Sequence, residues 1–340
     1  MALPPSARDI VQPYADNQTA LTQEALAQLQ KASAAGATDP ERWRNAIADV
    51  AETLLALQVA MVEGADDYVT ALLEEQGARI LPGPGVDAEG FADMTDGGGS
   101  WLKNLVYAPI SVAKAAPNIG VDEARRHADL VALSIVASGM QDAGRAAVTA
   151  AGVSFGANRY VRMLNGKTCA RCAVLAGRVY KVSAFKRHDR CDCKNVPTVE
   201  DIADDWRTDP KAYFRSLSTE DQDRIFGEAG AQAIRDGADI SQIVNAYEGV
   251  TTVTAYGREV QATTVGTTKR ALFGGYEIRA DGSLRKRTDA ELEKRPGKRY
   301  RYAKAPRLLP DEIYALAEEF GWGREEILGQ LRRFAYLLPW

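Results

Sequence analysis

The pattern of the chain changes at RYVRMLNGKTCARC, residues 159–172, and at HDRCDC, residues 188–193. Before this stretch the sequence is rich in Ala, with apolar residues at helical spacing. Residues 159–164 alternate polar and apolar side chains, which predicts a strand, and Asn165-Gly166 predicts a tight turn. Residues 177–182 predict a second short strand. We therefore expect a small α+β module to follow a helical N-terminal part.

The N-terminal part predicts long helices. Asp39 suits the N-cap of a helix, and Pro40 suits its first helical position. An apolar stripe at helical spacing then runs to Met61, and Gly77 is the expected end. This pattern predicts one helix of more than thirty residues. A further long helix is expected from near Asp122, so the half resembles a bundle or a stalk.

The rest of the chain predicts shorter elements. Helices return after Pro197, residues 250–265 are Thr-rich and β-like, and amphipathic helices begin at Pro310 and Arg324. The predicted fold is α+β and mostly α. We expect four parts: an elongated helical bundle or stalk (1–155), a metal-stapled cysteine-rich α+β module (156–268), a basic arm (269–307) and a C-terminal helical hairpin (308–340).

Composition excludes a wholly disordered chain, a collagen and a coiled-coil rod. Apolar residues are 46% and charged residues 26%, as in folded soluble chains. No run of eighteen apolar residues occurs, and the N-terminus lacks a basic start followed by an apolar core. We therefore expect no membrane segment, no secretory signal and synthesis in a cytoplasm.

The charge is unevenly distributed along the chain. Its net charge is −4, but residues 269–307 contain thirteen Lys or Arg and five Asp or Glu. This segment carries +8, which leaves −12 for the rest of the chain. A basic segment on an acidic body predicts contact with an anionic partner or docking of an arm on the chain itself.

All four cysteines lie within 25 positions, which in a reducing compartment favours metal or redox chemistry over disulfides. The pair Cys169 and Cys172 can converge on one ion, and His188, Cys191 and Cys193 supply further ligands. Zn²⁺ suits this mixture of thiolate and imidazole. We predict a structural Zn²⁺ held by four of these five residues. We favour Cys169, Cys172, His188 and one of Cys191 and Cys193, because side chains two apart point in opposite directions on an extended chain. The alternative is that the remaining cysteine replaces His188 as a ligand.

Enzymatic functions have less support. A catalytic zinc would need an open position and a base, for which Asp189 and Asp192 are the candidates. Ser154 fits the GxSxG pattern but lacks a preceding strand and a histidine partner, and His127 is expected on a helix surface. We predict no enzyme activity. The alternative is a zinc-dependent nucleic-acid-binding protein, or a zinc-dependent hydrolase or nuclease.

The basic segment mixes its cations with Tyr300 and Tyr302. Cations neutralise phosphates and tyrosines stack or pack on sugars, so nucleic acid is a candidate partner. A solvated loop or an arm that docks on an acidic partner fits the same charges. The predicted contact residues are Arg285, Lys286, Arg287, Lys294, Arg295, Lys298, Arg299 and Arg301.

The cysteine-rich stretch, residues 159–180 and 188–197, resembles the core of the Mu F-like minor head proteins of tailed phages, and most of all the form in actinobacterial phages. Residues 226–239, 266–270 and 307–313 also resemble segments of those proteins. The CxxC and HxxCxC residues match the family motif position by position. Zinc ligation by these residues is a chemical inference beside the resemblance.

The resemblance implies a minor capsid protein, present in few copies, that associates with the portal during head assembly and is compatible with ejection together with the DNA. It implies that the helical part, residues 1–155, docks on the portal or head. Implied partners are the portal protein and major capsid or scaffold proteins, with packaged double-stranded DNA as a further candidate. The implied location is the virion, in the capsid interior or at the portal vertex. Some relatives carry a fused protease or toxin domain, for which we find no catalytic set in this chain.

Overall fold

The computed structural model describes residues 3–34, 39–93, 95, 99–164, 168–181, 193–199, 206–279, 281 and 283–338. The chain forms two compact units. The first comprises Met1–Thr168 and Ala176–Asp209, and the second comprises Cys169–Leu175 and Pro210–Trp340. These units differ from the four parts divided after residues 155, 268 and 307. The first unit extends past residue 155 because three strands pack with its helices.

The first unit combines long helices with one small sheet. The elements are α1 (Pro5–Ala34), α2 (Pro40–Val62), α3 (Ala65–Glu75), α4 (Trp101–Leu105), α5 (Tyr107–Ile119), α6 (Val121–Phe155), β1 (Arg159–Met163), β2 (Val179–Lys181) and β3 (Lys194–Thr198). Helix α6 packs against α1, α2, α3 and α5. The strands form an antiparallel sheet in the order β2-β1-β3.

The start of α2 is as predicted, but its length is not. Asp39 accepts two backbone N–H groups of the first turn of α2. The prediction of one helix up to Gly77 is wrong, because α2 ends at Val62 and α3 follows after Gly64. Gly64 has φ +79, a left-handed conformation that glycine adopts without steric cost. The apolar stripe in the sequence therefore continues from α2 into α3, although the helix itself is interrupted at Gly64.

Two glycines let α6 approach its neighbours closely. A Cβ at Gly139 would lie 2.5 Å from the Trp101 ring. Trp101 is fully buried and donates its indole N–H to Gln58 Oε1 at 3.1 Å. Gly152 leaves room for the Tyr160 hydroxyl in the same way. Glycine weakens an isolated helix, but here packing against large side chains offsets that cost.

One helical stretch, Glu41–Glu75, is long and apolar enough to cross a membrane by length and composition alone. This is a weak indication, because core helices of soluble proteins meet the same criterion. Trp43, Ile47 and Leu54 of this stretch are fully buried in the core of the first unit. The expectation of no membrane segment stays a prediction.

The second unit contains short helices and small antiparallel sheets. Its helices are α7 (Ala170–Leu175), α8 (Pro210–Ser216), α9 (Thr219–Phe226), α10 (Glu228–Arg235), α11 (Ile240–Ala246), α12 (Leu272–Gly275), α13 (Pro310–Phe320) and α14 (Arg324–Arg333). Its strands are β4 (Val250–Ala255), β5 (Arg258–Thr263), β6 (Tyr276–Ile278), β7 (Leu284–Lys286), β8 (Leu292–Glu293), β9 (Tyr302–Ala303) and β10 (Arg307–Leu308). The three-stranded sheet has the order β10-β5-β4, and two further pairs are formed by β6 with β7 and by β8 with β9.

These elements confirm an α+β fold that is mostly α. The β-like stretch over residues 250–265 is the β4–β5 hairpin, and the terminal helical pair is α13 and α14. The CxxC pair, expected at a tight turn, continues into α7, so this local prediction is wrong. The strand β3 lies over Lys194–Thr198, for which the sequence predicted no element.

Arg307 is buried in the second unit, where it bonds several elements. It is 0% exposed, and its Nε donates to the Phe334 carbonyl at 2.8 Å. Its Nη1 donates to Gln242 Oε1 at 3.0 Å, and its guanidinium lies 4.2 Å from the centroid of the Tyr336 ring. Burial lowers the pKa of Arg307 below its usual value. Gly266 makes room for this side chain, since a Cβ there would collide with the guanidinium. Arg307 therefore stabilises the fold, although the sequence placed it in the basic arm.

Candidate functional site

The CxxC pair lies at the start of α7. Cys169 precedes the helix and is partly exposed, whereas Cys172 is 2% exposed. The Cys169 Sγ accepts the backbone N–H of Cys172 at 3.4 Å. This hydrogen bond fixes the Cys169 side chain at the start of α7.

A cavity of about 450 Å³ lies beside Cys169 within the second unit. Its polar lining includes Tyr247, Glu248 and Asp311, and the Tyr247 hydroxyl donates to Asp311 Oδ2 at 2.7 Å. Burial, and then this carboxylate, raise the pKa of Tyr247 above its usual value, so the hydroxyl stays protonated. No sequence signal marks this group, because its members are far apart in the chain and match no motif.

Cys193 lies in the first unit and is 0% exposed. Its carbonyl accepts a hydrogen bond from Arg145 Nε at 3.1 Å. Arg145 belongs to α6, is 7% exposed, and pairs with Asp142 at 2.9 Å. The backbone at Cys193 is therefore fixed to α6 by a buried cation.

Side chains of α3 continue this attachment along β3. The Tyr68 hydroxyl donates to the Asn195 carbonyl at 2.9 Å. Gln76 donates to the Pro197 carbonyl at 3.1 Å and accepts the Val199 N–H at 2.9 Å. These bonds fall at alternate residues of an edge strand, where unpaired backbone groups must find other partners. Pro197 has no N–H to satisfy at this edge.

Lys194 is a second buried cation beside β3. It is 2% exposed, and its Nζ donates to Gln141 Oε1 at 2.6 Å. Gln141 in turn donates to the Thr22 hydroxyl at 2.8 Å. A buried ammonium needs such partners, because transfer from water without them is costly. Lys194 therefore has a structural role.

The predicted zinc site is only partly within the described residues. His188 and Cys191 lie outside them, as do Asp189 and Asp192. Cys169, Cys172 and Cys193 form no disulfide with one another. Among the residues that the structure describes, no three His, Cys, Asp or Glu side chains are grouped closely enough to hold a metal. Zinc binding stays a prediction.

The other two residues considered for catalysis lie on α6. His127 is exposed, which confirms the predicted helix-surface position. Ser154 lies in the last turn of α6, and its hydroxyl donates to the Pro84 carbonyl at 2.5 Å. Ser154 is therefore the residue of a helix end, as the sequence indicated.

Three of the eight predicted contact cations are bonded inside the basic segment. Arg285 pairs with Glu277 and, at 2.7 Å, with Glu291. The hydrogen bonds from Arg285 lower the pKa of Glu291 to about 2. Arg287 donates to a backbone carbonyl, and Arg301 donates to two. These residues hold the segment in its fold.

The other five predicted cations have no ion pair within the described part of the chain. Arg295 lies 4.9 Å from the centroid of the Tyr302 ring. Arg299 lies 5.7 Å from that of Tyr300, and Arg270, which the predicted set omitted, lies 4.2 Å from the same ring. Both tyrosine rings therefore contact arginine groups of the same segment. The remaining three cations are Lys286, Lys294 and Lys298.

Comparison with known proteins gives one match. Residues 109–219 match the model of the VG15 protein family, a phage-associated viral gene family. This segment is about a third of the chain and contains α6, the three strands of the first sheet and the CxxC pair. Neither a search of curated proteins nor a search of solved structures finds a match. The VG15 match supports the conclusion that the chain is a phage protein.

Proposed function

We propose that this chain is a minor structural protein of a phage head, of the Mu F-like type, which associates with the portal during assembly and catalyses no reaction. The observation that carries the proposal is an overlap. The segment that matches the VG15 family, residues 109–219, contains the cysteine-rich stretch that resembles the Mu F-like core. Two separate likenesses therefore point to phage proteins through the same residues.

The surface of the first unit suits a role in assembly. Tyr107 and Ile110 of α5 are 51% and 42% exposed, and Val121 and Leu130 of α6 are 57% and 53% exposed. A contiguous exposed apolar patch is typical of a protein interaction site, whereas single exposed apolar side chains are normal on a protein surface. We assign this surface to the portal protein, with major capsid or scaffold proteins as further partners. The protein would then act in the capsid interior or at the portal vertex.

We further propose that four of the five residues Cys169, Cys172, His188, Cys191 and Cys193 bind a structural Zn²⁺. Such an ion adds folding free energy where apolar residues are few. The zinc content of the purified chain tests this by elemental mass spectrometry. The expected result is one zinc per chain, lost in Cys169→Ser/Cys172→Ser. An unchanged zinc content in that double variant would contradict the proposal.

The matched control for the zinc measurement is Asp189→Asn/Asp192→Asn. It changes the same segment without removing a thiol or imidazole, so we expect it to keep its zinc. A water ligand on the zinc, together with nucleic-acid hydrolysis that this control abolishes, would favour the hydrolase or nuclease alternative. The two variants therefore separate a structural metal from a catalytic one.

Genetics tests the proposed function itself. A phage whose copy of this gene carries a nonsense codon is grown in a non-suppressing host. We expect portal and capsid proteins to be made while the yield of infectious particles falls. The wild-type chain and Asp189→Asn/Asp192→Asn, supplied from a plasmid, should restore that yield. A normal yield of infectious particles without the chain would contradict the proposal.

A further inference from the structure

We propose that an exposed basic surface of the second unit binds the phosphate backbone of duplex DNA without reading its sequence. We name it the arginine–tyrosine surface. The proposal is independent of the proposed function, because it rests on the charges and contacts of this surface alone. Its members are Arg270, Lys294, Arg295, Lys298, Arg299, Tyr300 and Tyr302.

The charge of this surface is not neutralised within the chain. Residues 294–304 contain six Lys or Arg and no Asp or Glu. The nearby carboxylate of Asp289 pairs with Lys269 and Arg301, which are not members of the surface. Among the described residues, no ion pair involves a cation of the surface. Concentrated charge of one sign attracts an anionic partner.

Backbone pairing brings these cations together. The Lys269 N–H donates to the Arg301 carbonyl at 2.7 Å, which places Arg270 beside Tyr300. The chain then turns at Gly297, where φ is +71 and the Lys298 N–H donates to the Arg295 carbonyl at 3.2 Å. The turn presents cations on both of its sides, so the surface has a fixed geometry.

The contacts of the tyrosines decide which part of a nucleic acid can bind. Single-strand-binding proteins stack bases on free aromatic rings. Here Arg270 and Arg299 lie over Tyr300, and Arg295 lies over Tyr302. The rings orient guanidinium groups, and those groups donate to phosphate oxygens. Contacts to phosphates position a protein on DNA but carry no sequence information.

The same surface fits a protein partner less well. Protein interfaces are enriched in Arg and Tyr, but they have an apolar centre from which charged residues are depleted. Tyr276 and Leu284 are large apolar side chains that are exposed within residues 269–307, and neither belongs to the surface. Duplex DNA presents about one negative charge per 1.7 Å of helix axis, which suits an array of cations without an apolar anchor.

Fluorescence anisotropy of labelled duplexes of about 30 base pairs, with the full chain at about 50 to 200 mM salt, tests the proposal. We expect the logarithm of the affinity to fall linearly with the logarithm of salt concentration, equally for A·T-rich and G·C-rich duplexes. A single strand of equal length should bind no more tightly. Tighter binding of single strands, or displacement of DNA by polyglutamate at equal charge concentration, would overturn the proposal.

A variant and a matched control locate the binding. In Arg270→Gln/Arg295→Gln/Lys298→Gln/Arg299→Gln, the salt slope should fall by about 0.9 for each phosphate that the protein no longer neutralises. The control changes four exposed cations of the first unit by the same net charge and should bind as wild type. Equal weakening in both would contradict the proposal. The control is Lys31→Gln/Arg44→Gln/Lys103→Gln/Lys114→Gln.

A variant with two substitutions tests whether weaker binding is caused by loss of folding. Lys294→Gln/Lys298→Gln removes two cations for which no ring contact is found among the described residues. It should lower the salt slope by about 1.8 at an unchanged circular dichroism spectrum. Tyr300→Phe/Tyr302→Phe keeps both rings and should bind as wild type. An unchanged slope in the folded lysine variant would also overturn the proposal.

Discussion

Two groups of cations, one beside β3 in the first unit and one on the arginine–tyrosine surface in the second, differ in their surroundings. Lys194 and Arg145 are 2% and 7% exposed and donate to an amide oxygen, a carbonyl and a carboxylate. Arg295 and Arg299 lie over tyrosine rings and have no ion pair among the described residues. A buried cation must be paired to be tolerated, whereas an exposed one need not be. The first group therefore stabilises the fold, and the second is available to a ligand.

The largest expected effect is on the buried group. Arg145→Met removes a buried charge–carbonyl bond and leaves Asp142 without this partner. We expect the free energy of unfolding of the first unit to fall by about 3 kcal/mol, measured by urea denaturation.

The matched control is Arg126→Met on the same helix. Arg126 pairs with Glu123 at the same i,i+3 spacing, but both side chains are more than half exposed. This variant should unfold almost as wild type, because exposed pairs contribute little. Equal loss in the two variants would mean that burial does not distinguish them.

The next effect concerns the edge of β3. Gln76→Leu leaves the Pro197 carbonyl and the Val199 N–H without the partner that now bonds both. We expect a loss of about 2 kcal/mol in the free energy of unfolding, because each buried unpaired group costs about 1–3 kcal/mol and the edge can partly relax. The exposed Gln23→Leu is the control and should change the urea midpoint little. No difference between the two would show that β3 is held by other contacts.

A smaller effect depends on pH. Hydrogen bonds from Arg285, and then from Thr288, lower the pKa of Glu291 to about 2 from its usual 4.5. A carboxyl group whose pKa is lowered by folding adds stability above its unfolded pKa, and this stability is lost as the pH falls toward its folded pKa. We expect the β6–β7 hairpin to lose protection from amide hydrogen exchange between about pH 4.5 and pH 2.

Glu291→Gln should weaken this pH dependence of hydrogen exchange. The exposed neighbour Glu293, which has no ion pair among the described residues, provides the control Glu293→Gln. The control should keep the wild-type pH profile. If both variants behave alike, the Arg285–Glu291 pair does not stabilise the hairpin in solution.

The smallest expected effect is on the exposed cations themselves. The four-residue glutamine variant at Arg270, Arg295, Lys298 and Arg299 should unfold at nearly the wild-type urea concentration, because exposed substitutions rarely change stability by more than about 0.5 kcal/mol. Strong destabilisation would show that these cations are structural, as Arg145 is. The urea measurement therefore shows whether weaker DNA binding by this variant results from lost contacts or from lost stability.

Local signals in the sequence predicted much of the fold. The Asp39 cap, the long helix α6, β1, the β4–β5 hairpin and the terminal helices each follow from neighbouring residues. The strand β3 does not, because Tyr68 and Gln76, which bond its backbone, lie 127 and 121 residues from their partners. The break at Gly64 was missed because the apolar stripe continues across it.

The candidate site also has some features that neighbouring residues predict and others that depend on residues distant in the chain. The CxxC pair is a local motif, and the structure adds the hydrogen bond from the Cys172 N–H to Cys169. The structure adds Arg270 to the arginine–tyrosine surface, because backbone pairing of Lys269 with Arg301 places Arg270 beside Tyr300. Arg285 and Arg301 looked available in sequence, but nearby carboxylates and carbonyls bind them. Charge counts predicted a basic region, whereas pairing determined which cations remain available.

Quantitative mass spectrometry of purified particles tests the central claim, that the chain is a minor component of a phage head. Full particles and particles that have released their DNA are compared, with the portal protein as internal standard. The account predicts the chain in full particles, in few copies beside the major capsid protein. Retention after release would indicate a fixed head or portal component, and loss would indicate ejection with the DNA. Absence from full particles would contradict the account.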